Sequence, residues 1–437
     1  MQTRRLFYGC TRAAGAALLL ASLGVIGAAC GDDGAGGSGG DTSSGGAGGT
    51  GGSGGEGGES ALPPGCDVLL RAGVDDEAAV QTALIMAEVD STVCFSAGKF
   101  AFTNELSLSV QGVTLKGAGR DETVLDFTEQ DVGANGVLIQ SNQVTVESLA
   151  VINPPGDGIR ANGVAGITFR NVAVRWDADA AVENGAYGLY PVSSTDVVIE
   201  NCVVKGARDA GIYVGQSERI RVVDSEAFGN VAGIEIENST DALVRNNYAH
   251  DNTAGILVFN LPGLPVLDGK RVNVFENRVE NNNLDNFGVP GTTVAKVPPG
   301  IGIMILASDD NEIHGNTLSG NRSAAVLVVS YLNILFGMPN DPQYDKFPQG
   351  NYVHDNTYTD NGQDPAPLIA SVTVTRPIPN VLWDGCIDAA AVDDGHLTNC
   401  VSSETSSYLN FNYCNDFPVS STDLDEVACT YEPLPID

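Results

Sequence analysis

Acidic and aromatic residues recur at matching places in short apolar segments of this 437-residue chain. The segments GIYVG and GIEIE place Tyr213 and Glu235 two residues after an opening glycine, and Tyr190 has the same place in the earlier segment GLYPV. Glu237 follows Glu235 by two residues, so both side chains would lie on one face of a strand. Tyrosine rings can cover the faces of a sugar, while carboxylates accept its hydroxyl groups or hold a hard cation such as Ca²⁺.

This pattern predicts a carbohydrate site on the outward face of a sheet. Arg208 and Asp209 directly precede the segment that carries Tyr213, and the insertion Trp176–Glu183 could form a wall of the groove. The catalytic candidates are Glu235, Glu237, Arg208 and Asp209. The predicted substrate-binding residues are Tyr190, Tyr213 and Phe259. Outward tyrosines and glutamates are also ordinary residues of a solvated sheet, and this structural alternative stays open.

The segments belong to a repeat of about 22 residues. The opening glycines are Gly136, Gly158, Gly188, Gly211, Gly233, Gly255 and Gly302, at steps of 22, 30, 23, 22, 22 and 47 residues. Polar residues recur at fixed places after them, namely Ser194, Ser217, Ser239 and Ser308, then Asn201, Asp224 and Asn246, then Asn230, Asn252 and Asn321. Short period-two apolar runs separated by Asn, Asp and Gly predict strands joined by tight turns. About three strands per repeat predict an all-β parallel β-helix whose coils stack into one solenoid.

Both ends of the repeat have the features of caps. Asp75 to Val89 has helical apolar spacing with acids in its first turn, which favours a capping helix. In an oxidising compartment Cys66 and Cys94 are predicted to pair, and Cys202 is predicted to be a buried thiol. The far cap is predicted to be braced by disulfides among Cys386, Cys400, Cys414 and Cys429. Four cysteines permit three pairings.

The N-terminal residues predict export. Arg4, Arg5 and Arg12 precede an apolar run that ends in GAAC at Cys30, as in a secretory signal. Small residues before a cysteine resemble a bacterial lipoprotein signal, which implies lipidation of Cys30, although Gly27 stands where a leucine is usual. The segment TRRLF also resembles a twin-arginine export motif. The expected location is the bacterial cell envelope, extracytoplasmic and lipid-anchored, with either membrane possible.

Composition limits the partners and sets the domain order. The formal charge of −33 excludes nucleic acid as an expected partner, because affinity for phosphates comes from Lys and Arg patches. Residues 31–60 are nearly all Gly, Ser, Thr and acids, which predicts a flexible tether. The predicted order is a signal peptide at 1–29, the tether at 30–60, an N-terminal cap at 61–98, the parallel β-helix at 99–375 and a C-terminal cap at 376–437.

The repeat also resembles a known family. The coils, the opening LKGAGRDETVLDF, and the stretch from NGAYGLYPVSST through VPPGIGIMI to VVSY are similar to exported bacterial right-handed parallel β-helix repeat proteins. The resemblance covers about residues 66–437. It implies a right-handed solenoid in a secreted protein or lipoprotein, and it implies no particular activity.

A local similarity to enzymes of this fold does not include the catalytic residues. YGLYPVS resembles the mannuronan epimerase motif at Tyr187, Gly188, Leu189 and Pro191. However, Tyr190 replaces the aspartate of that motif, Val192 replaces its histidine and Ser193 replaces its acid. The segment therefore lacks the expected base for proton abstraction.

Three function hypotheses follow. The first is a lipoprotein that binds or processes a polysaccharide; a catalytic version would be a lyase, epimerase or hydrolase, and the sequence does not distinguish binding from catalysis. The second is a non-catalytic scaffold whose long flat face binds another exported protein. The third, electron transfer or metal storage, has no CxxCH motif or sequence cluster of histidines to support it. The tripeptide HDN at His250–Asn252 falls in the turn ladder, which favours a structural role, and it recurs at His354–Asn356.

Overall fold

The computed structural model describes residues 62–435 except 332–335, 337–340, 389–397, 403, 405 and 416–419. The predicted signal peptide, Cys30 and the tether lie outside the described residues. Within the described residues the chain folds into three parallel β-sheets that wind about one core. None of the helices in this part of the chain has the length and apolar character of a membrane span.

Each sheet receives one strand from nearly every coil. The 12-stranded sheet A consists of Val68–Leu70, Thr92–Phe95, Thr114–Lys116, Val144–Glu147, Ala165–Arg170, Thr195–Glu200, Glu218–Val223, Thr240–Arg245, Lys270–Phe275, Glu312–His314, Tyr352–His354 and Cys400–Val401. The 10-stranded sheet B consists of Gly98–Ala101, Thr123–Asp126, Ala150–Ile152, Ala173–Arg175, Val203–Lys205, Glu226–Phe228, Tyr248–His250, Arg278–Glu280, Thr317–Ser319 and Thr357–Thr359. The 11-stranded sheet C consists of Asn104–Leu108, Val132–Ile139, Asp157–Asn162, Tyr187–Val192, Ala210–Gly215, Ala232–Glu237, Ala254–Phe259, Ile301–Leu306, Ala324–Val329, Val381–Trp383 and Tyr408–Asn410.

The register confirms the vertical stacking predicted from the glycine spacing. Ile234 pairs with Ile212 below and Ile256 above, and all three point into the core with no exposed surface. The opening glycines are required because the backbones approach closely at this column. A Cβ atom on Gly233 would lie 2.6 Å from the carbonyl oxygen of Gly255, closer than real Cβ contacts allow.

The predicted polar ladders are present at the turns. The side chain of Asn230 donates to Oδ1 of Asn252 at 3.0 Å, and Asn252 donates in turn to Asn282 at 2.9 Å. These amides are buried and also donate to backbone carbonyls, so they satisfy the chain where it turns a corner. Asp224 and Asn246 adopt the left-handed conformation, with φ of 52° and 53°, as expected for their turn position.

The ends of the solenoid are closed by a helix and disulfides. Helix Glu77–Met86 confirms the predicted N-terminal cap, and the Asp76 side chain accepts a hydrogen bond from the backbone amide of Ala79 at 2.8 Å. Cys66 pairs with Cys94 as predicted, and the last four cysteines form Cys386–Cys414 and Cys400–Cys429. Cys202 is free and fully buried, and burial raises the pKa of its thiol to about 12.

Some structure lies beyond what the repeat pattern showed. A second helix, Pro367–Val372, has only six residues and begins at a proline, so it has no helical period to detect. Short 3-10 helices occupy Val294–Lys296, Tyr413–Asn415 and Leu424–Glu426. Strands of the three sheets also occur inside both segments assigned to caps, from Val68–Leu70 to Tyr408–Asn410.

Candidate functional site

The outer face of sheet C brings the predicted site residues together. Tyr213 pairs with Glu235, and Gly215 pairs with Glu237, in adjacent coils. One coil earlier Tyr190 pairs with Arg160, which continues the column toward the N-terminus. We use the name tyrosine–carboxylate cluster for six residues of this face: Tyr187, Tyr190, Tyr213, Asp209, Glu235 and Glu237.

This face is not the open, solvated surface that the outward direction suggested. Glu235 is 3% exposed, Glu237 is 8% exposed and Phe259 is 1% exposed. The connecting segments contribute Val294, Phe336, Ile369 and Ile378 to a second apolar cluster that packs over the sheet together with Phe259. Strand alternation fixes the direction of a side chain but not what covers it.

The cover over this face alters two expectations from the sequence. Phe259 lies inside the second apolar cluster, so it supports the floor of the site and has almost no surface of its own to offer a ligand. The same covering leaves less of this face exposed for a protein partner. The signal in the sequence was the continuous apolar run GILVF, because strands buried on both faces lose the alternation of polar and apolar residues.

Three tyrosine rings pack against one another at the edge of the covered region. Tyr187 lies 4.5 Å from Tyr190 and 4.6 Å from Tyr213 between ring centroids, and Tyr190 lies 5.0 Å from Tyr213. The guanidinium of Arg160 sits over the Tyr190 ring at 4.9 Å. Tyr187 and Tyr190 are half-buried, while Tyr213 is buried, so the three rings lead from the surface toward the carboxylates.

The carboxylates of the cluster differ in their hydrogen bonds. The Tyr213 hydroxyl donates to Oε1 of Glu237 at 2.7 Å, and the Tyr187 hydroxyl donates to Oδ2 of Asp209 at 3.3 Å. Oε2 of Glu235 is buried and has no hydrogen-bond partner among the described residues. A buried polar atom without a partner is costly, so its presence in a native protein calls for an explanation, of which a catalytic role is one.

These environments separate the proton affinities of the carboxyl groups. Burial raises the pKa of Glu235 well above its usual range, and the nearby Glu237 and Asp209 raise it further. Burial raises the pKa of Glu237 to about 6, against the opposing effect of the Tyr213 hydrogen bond. Burial and then Glu237 raise the pKa of Asp209 to about 7. Glu235 therefore holds its proton more strongly than Glu237 does.

The insertion Trp176–Glu183 lies beside Arg208. Nη1 of Arg208 donates to the carbonyl oxygen of Val182 at 3.2 Å, and the Arg208 backbone amide donates to Gly185 at 3.0 Å. Trp176 itself is buried and donates to the Pro154 carbonyl, so only the later part of the insertion lies beside the half-buried Arg208.

Two residues of the site were missed by sequence reasoning. Arg160 occupies the same place after Gly158 that Tyr190 occupies after Gly188, so the repeat count could have found it. Its Nε atom is buried without a hydrogen-bond partner in the described part of the chain. Asp157 opens the same strand, and burial raises its pKa to about 6, against the effect of Arg160.

A different group of residues is suited to a metal ion. Among the described residues, the ligand atoms close enough to share one ion belong to Glu312, His314 and His354, and they lie within 4.8 Å of one another. This group is on sheet A and does not include Glu235 or Glu237.

Comparison with known proteins agrees with the strand arrangement. The sequence model for the right handed beta helix region matches residues 123–317. Together with the three parallel sheets, this match identifies the fold as a right-handed parallel β-helix. No curated protein sequence matches this β-helix protein.

Several solved structures are similar to this chain at low sequence identity. The A-module of the mannuronan C-5 epimerase AlgE6 of Azotobacter vinelandii is 18% identical, with a TM-score of 0.47, and the alignment covers 65% of this chain and 81% of that one. An alginate lyase of Paenibacillus sp. str. FPU-7 is 14% identical, with a TM-score of 0.33 and coverage of 68% and 99%. A double mutant of the periplasmic alginate epimerase AlgG is 10% identical, with a TM-score of 0.38 and coverage of 77% for both chains. At these identities the likeness concerns the β-helix fold alone.

Proposed function

We propose that this β-helix protein binds a polysaccharide at the tyrosine–carboxylate cluster and hydrolyses its glycosidic bonds. The observation that carries this proposal is the buried Oε2 of Glu235, which has no hydrogen-bond partner among the described residues and lies on the same strand as Glu237, whose pKa burial raises less. Two carboxyl groups whose environments separate their pKa values are the usual acid and base of glycoside hydrolysis.

The chemical roles follow from the relative proton affinities of Glu235 and Glu237. Glu235 gives its proton to the glycosidic oxygen as the bond to the sugar carbon breaks, and Glu237 takes a proton from the attacking water. One water molecule is consumed and one new reducing end forms for each bond cleaved. The Cα atoms of the two residues are about 7 Å apart, at two strand rises, which allows both groups to face one sugar unit. Glu235 and Glu237 are only 3% and 8% exposed, so a sugar reaches their carboxyl groups only if the connecting segments over this face move aside.

The mouth of the cluster suits an acidic sugar. The half-buried rings of Tyr187 and Tyr190 can cover a pyranose face, since aromatic rings offer apolar area with a polar tip. Arg160 and Arg208 are half-buried beside them and can pair with a sugar carboxylate. The polysaccharide class we favour is therefore one that contains uronic acids.

An elimination or epimerisation mechanism has less support from the same residues. A tyrosine base would need a pKa near the working pH. Burial instead raises the pKa of Tyr190, and it raises the pKa of Tyr213 well above the usual value. Cleavage products distinguish the mechanisms, because a lyase leaves an unsaturated uronate and a hydrolase does not.

Loss of the Tyr190 ring is expected to weaken polysaccharide binding about 10-fold, which corresponds to about 1.4 kcal/mol. Tyr190→Ala removes a half-buried face that the proposal assigns to the sugar. The measurement is the dissociation constant for oligosaccharides that a glycan array first identifies, with and without EDTA. Tyr248→Ala is the matched control, because Tyr248 is also half-buried but lies on sheet B against His250. Equal affinities of both variants and the unmodified chain would contradict a sugar platform at Tyr190.

We also propose that the mature chain is exported and attached to a membrane through lipid on Cys30. The support is the small residues that precede this cysteine after a basic and apolar leader. Cys30→Ser is expected to move the protein from the membrane fraction to the soluble fraction of its host. Cys10→Ser provides a cysteine control within the leader. An unchanged membrane fraction for Cys30→Ser would contradict the anchor.

A further inference from the structure

The structure contains the same five-residue segment twice, on two different sheets. Tyr248–Asn252 and Tyr352–Asn356 both read Tyr-x-His-Asp-Asn. In each, Nδ1 of the histidine lies 2.8 Å from the following aspartate, and the tyrosine ring stacks on the imidazole at 3.9 and 4.0 Å. In each, Nε2 also contacts a glutamate of the preceding coil, Glu226 at 3.1 Å and Glu312 at 2.9 Å.

The two copies differ in the residue stacked below the histidine. His250 pairs with Phe228, and their rings lie 5.1 Å apart. His354 pairs with His314, and their rings lie 5.0 Å apart. The second copy therefore adds an imidazole to a histidine and a glutamate that already face each other.

We infer that Glu312, His314 and His354 form a binding site for a divalent transition-metal ion such as Zn²⁺. Their ligand atoms lie within 4.8 Å of one another. Two imidazoles and one carboxylate are a ligand set that zinc accepts while keeping a further coordination position open. A hard cation such as Ca²⁺ prefers six to eight oxygen ligands, which this group does not supply.

Neighbouring side chains orient the two imidazoles for this role. Asp355 holds Nδ1 of His354, which leaves Nε2 directed toward Glu312. Nε2 of His314 lies 3.1 Å from Oδ1 of Asn273, whose amide nitrogen in turn donates to the Pro435 carbonyl. Because an amide oxygen only accepts, this contact requires a proton on Nε2 of His314, so an ion would either bind Nδ1 or replace the Asn273 contact. Such outer contacts normally fix the ring orientation of metal-binding histidines.

Ion binding requires a small rearrangement of the rings. The His314 and His354 rings are parallel within 2°, and an ion cannot lie in both ring planes at once. At least one ring must turn about its Cβ–Cγ bond, a torsion with broad, shallow minima. The ligand atoms must also approach from within 4.8 Å to about 3.3 Å, the spacing that Zn–N bonds of about 2.0–2.1 Å impose on a tetrahedron.

The carboxylate of this group lies beside a cavity under the C-terminal segment. Glu312 and Tyr352 line a cavity of about 390 Å³ together with Glu432 and Leu434. The backbone amide of Leu434 donates to Oε2 of Glu312 at 2.6 Å, so this segment contacts one member of the ligand set. An ion bound here would couple sheet A to the C-terminal cap.

The test is Zn²⁺ binding to the exported chain, purified without a histidine tag and measured by equilibrium dialysis. We expect one Zn²⁺ per chain, and we expect His314→Phe to abolish binding. That substitution reproduces the phenylalanine found beside His250, so the ring stack is kept. His250→Phe is the matched control and should leave Zn²⁺ binding unchanged. Circular dichroism and thermal unfolding show whether each variant is folded.

Graded variants make the ligand assignment sharper. Asp355→Asn should weaken Zn²⁺ binding about 10- to 100-fold, as expected when the partner of a coordinating histidine is altered. Glu312→Gln should weaken it at least as much, and Ca²⁺ should not compete with Zn²⁺. Absence of Zn²⁺ binding by the unmodified chain, or an equal affinity in folded His314→Phe, would overturn the inference.

Discussion

Glu235→Gln is expected to reduce polysaccharide hydrolysis about 10³-fold, within the range of about 10²–10⁴-fold typical for loss of a general acid. The amide has nearly the same shape as the carboxyl group but cannot give a proton to the glycosidic oxygen. Glu235 is suited to that step because burial, Glu237 and Asp209 all raise its pKa and so favour its protonated form. The measurement is the rate at which new reducing ends appear in uronate-containing polysaccharides.

Glu218→Gln is the matched control for this substitution. Glu218 begins the sheet A strand that follows Tyr213 along the chain, and its exposed side chain forms an ion pair with Arg219. The hydrolysis rate of Glu218→Gln should stay within about twofold of that of the unmodified chain. An exposed ion pair contributes little to stability, so this variant should remain folded. A Glu235→Gln variant that stays folded and keeps full activity would remove Glu235 from the mechanism.

Glu237→Gln distinguishes catalysis from a purely structural role of the pair. Glu237 accepts the Tyr213 hydrogen bond, and its pKa of about 6 makes it the base of the pair. The single variants and the double variant should have similar residual rates, because an acid and a base that act in one step are not additive. Independent, additive losses would indicate that the two carboxyl groups do not act together.

The repeat count predicted the part of this site that backbone hydrogen bonds determine. Parallel strands in register place Tyr213 beside Glu235 whatever the side chains do, so counting from the glycines was sufficient. The cover over the site was not predictable in this way. Val294, Phe336 and Ile369 come from connecting segments that have no period, and their positions depend on tertiary packing.

The proposed Zn²⁺ site shows a second limit of counting residues from the repeat glycines. Glu312 and His314 share one strand, but His354 arrives 40 residues later, because the coil between them is much longer than the repeat. The recurrence of HDN was visible in the sequence. That His354 pairs with His314, and not with a phenylalanine, could be known only from the strand register. The pairings of Cys386 with Cys414 and of Cys400 with Cys429 were likewise one of three possibilities until the strands were placed.

Stability is expected to be greatest on the acidic side of neutrality and to fall as the pH rises from about 5 to 8.5. Several buried or half-buried carboxyl groups have a pKa raised by burial, including the buried Asp384 at about 6 and the half-buried Asp309 at about 8. A carboxyl group with a raised pKa in the folded state binds its proton more tightly there than in the unfolded chain. Its stabilising effect is therefore complete below the unfolded pKa and is lost as the pH rises through the folded value.

Asp384 shows the size of the effect. It has no exposed surface, and it accepts hydrogen bonds from the amide and hydroxyl of Ser330 at 2.7 Å and from the Cys386 amide at 3.1 Å. Burial outweighs these bonds, and a shift from 3.8 to about 6 corresponds to about 3 kcal/mol lost on full ionisation. Carboxyl groups with lowered pKa values, such as Asp126 beside Lys99, lose their contribution only at lower pH.

The measurement is the urea midpoint of unfolding across this pH range at constant ionic strength. Asp309→Asn should flatten the decline between about pH 6 and 8.5, because the remaining carbonyl can still accept the hydrogen bond of the Gln349 amide, 2.8 Å away in the unmodified chain. Asp196→Asn is the control, because Asp196 is exposed and its ion pair with Arg219 lowers its pKa, so its titration lies below this range. A midpoint that rises with pH, or an Asp309→Asn curve parallel to that of the unmodified chain, would show that these buried groups do not govern stability in this range.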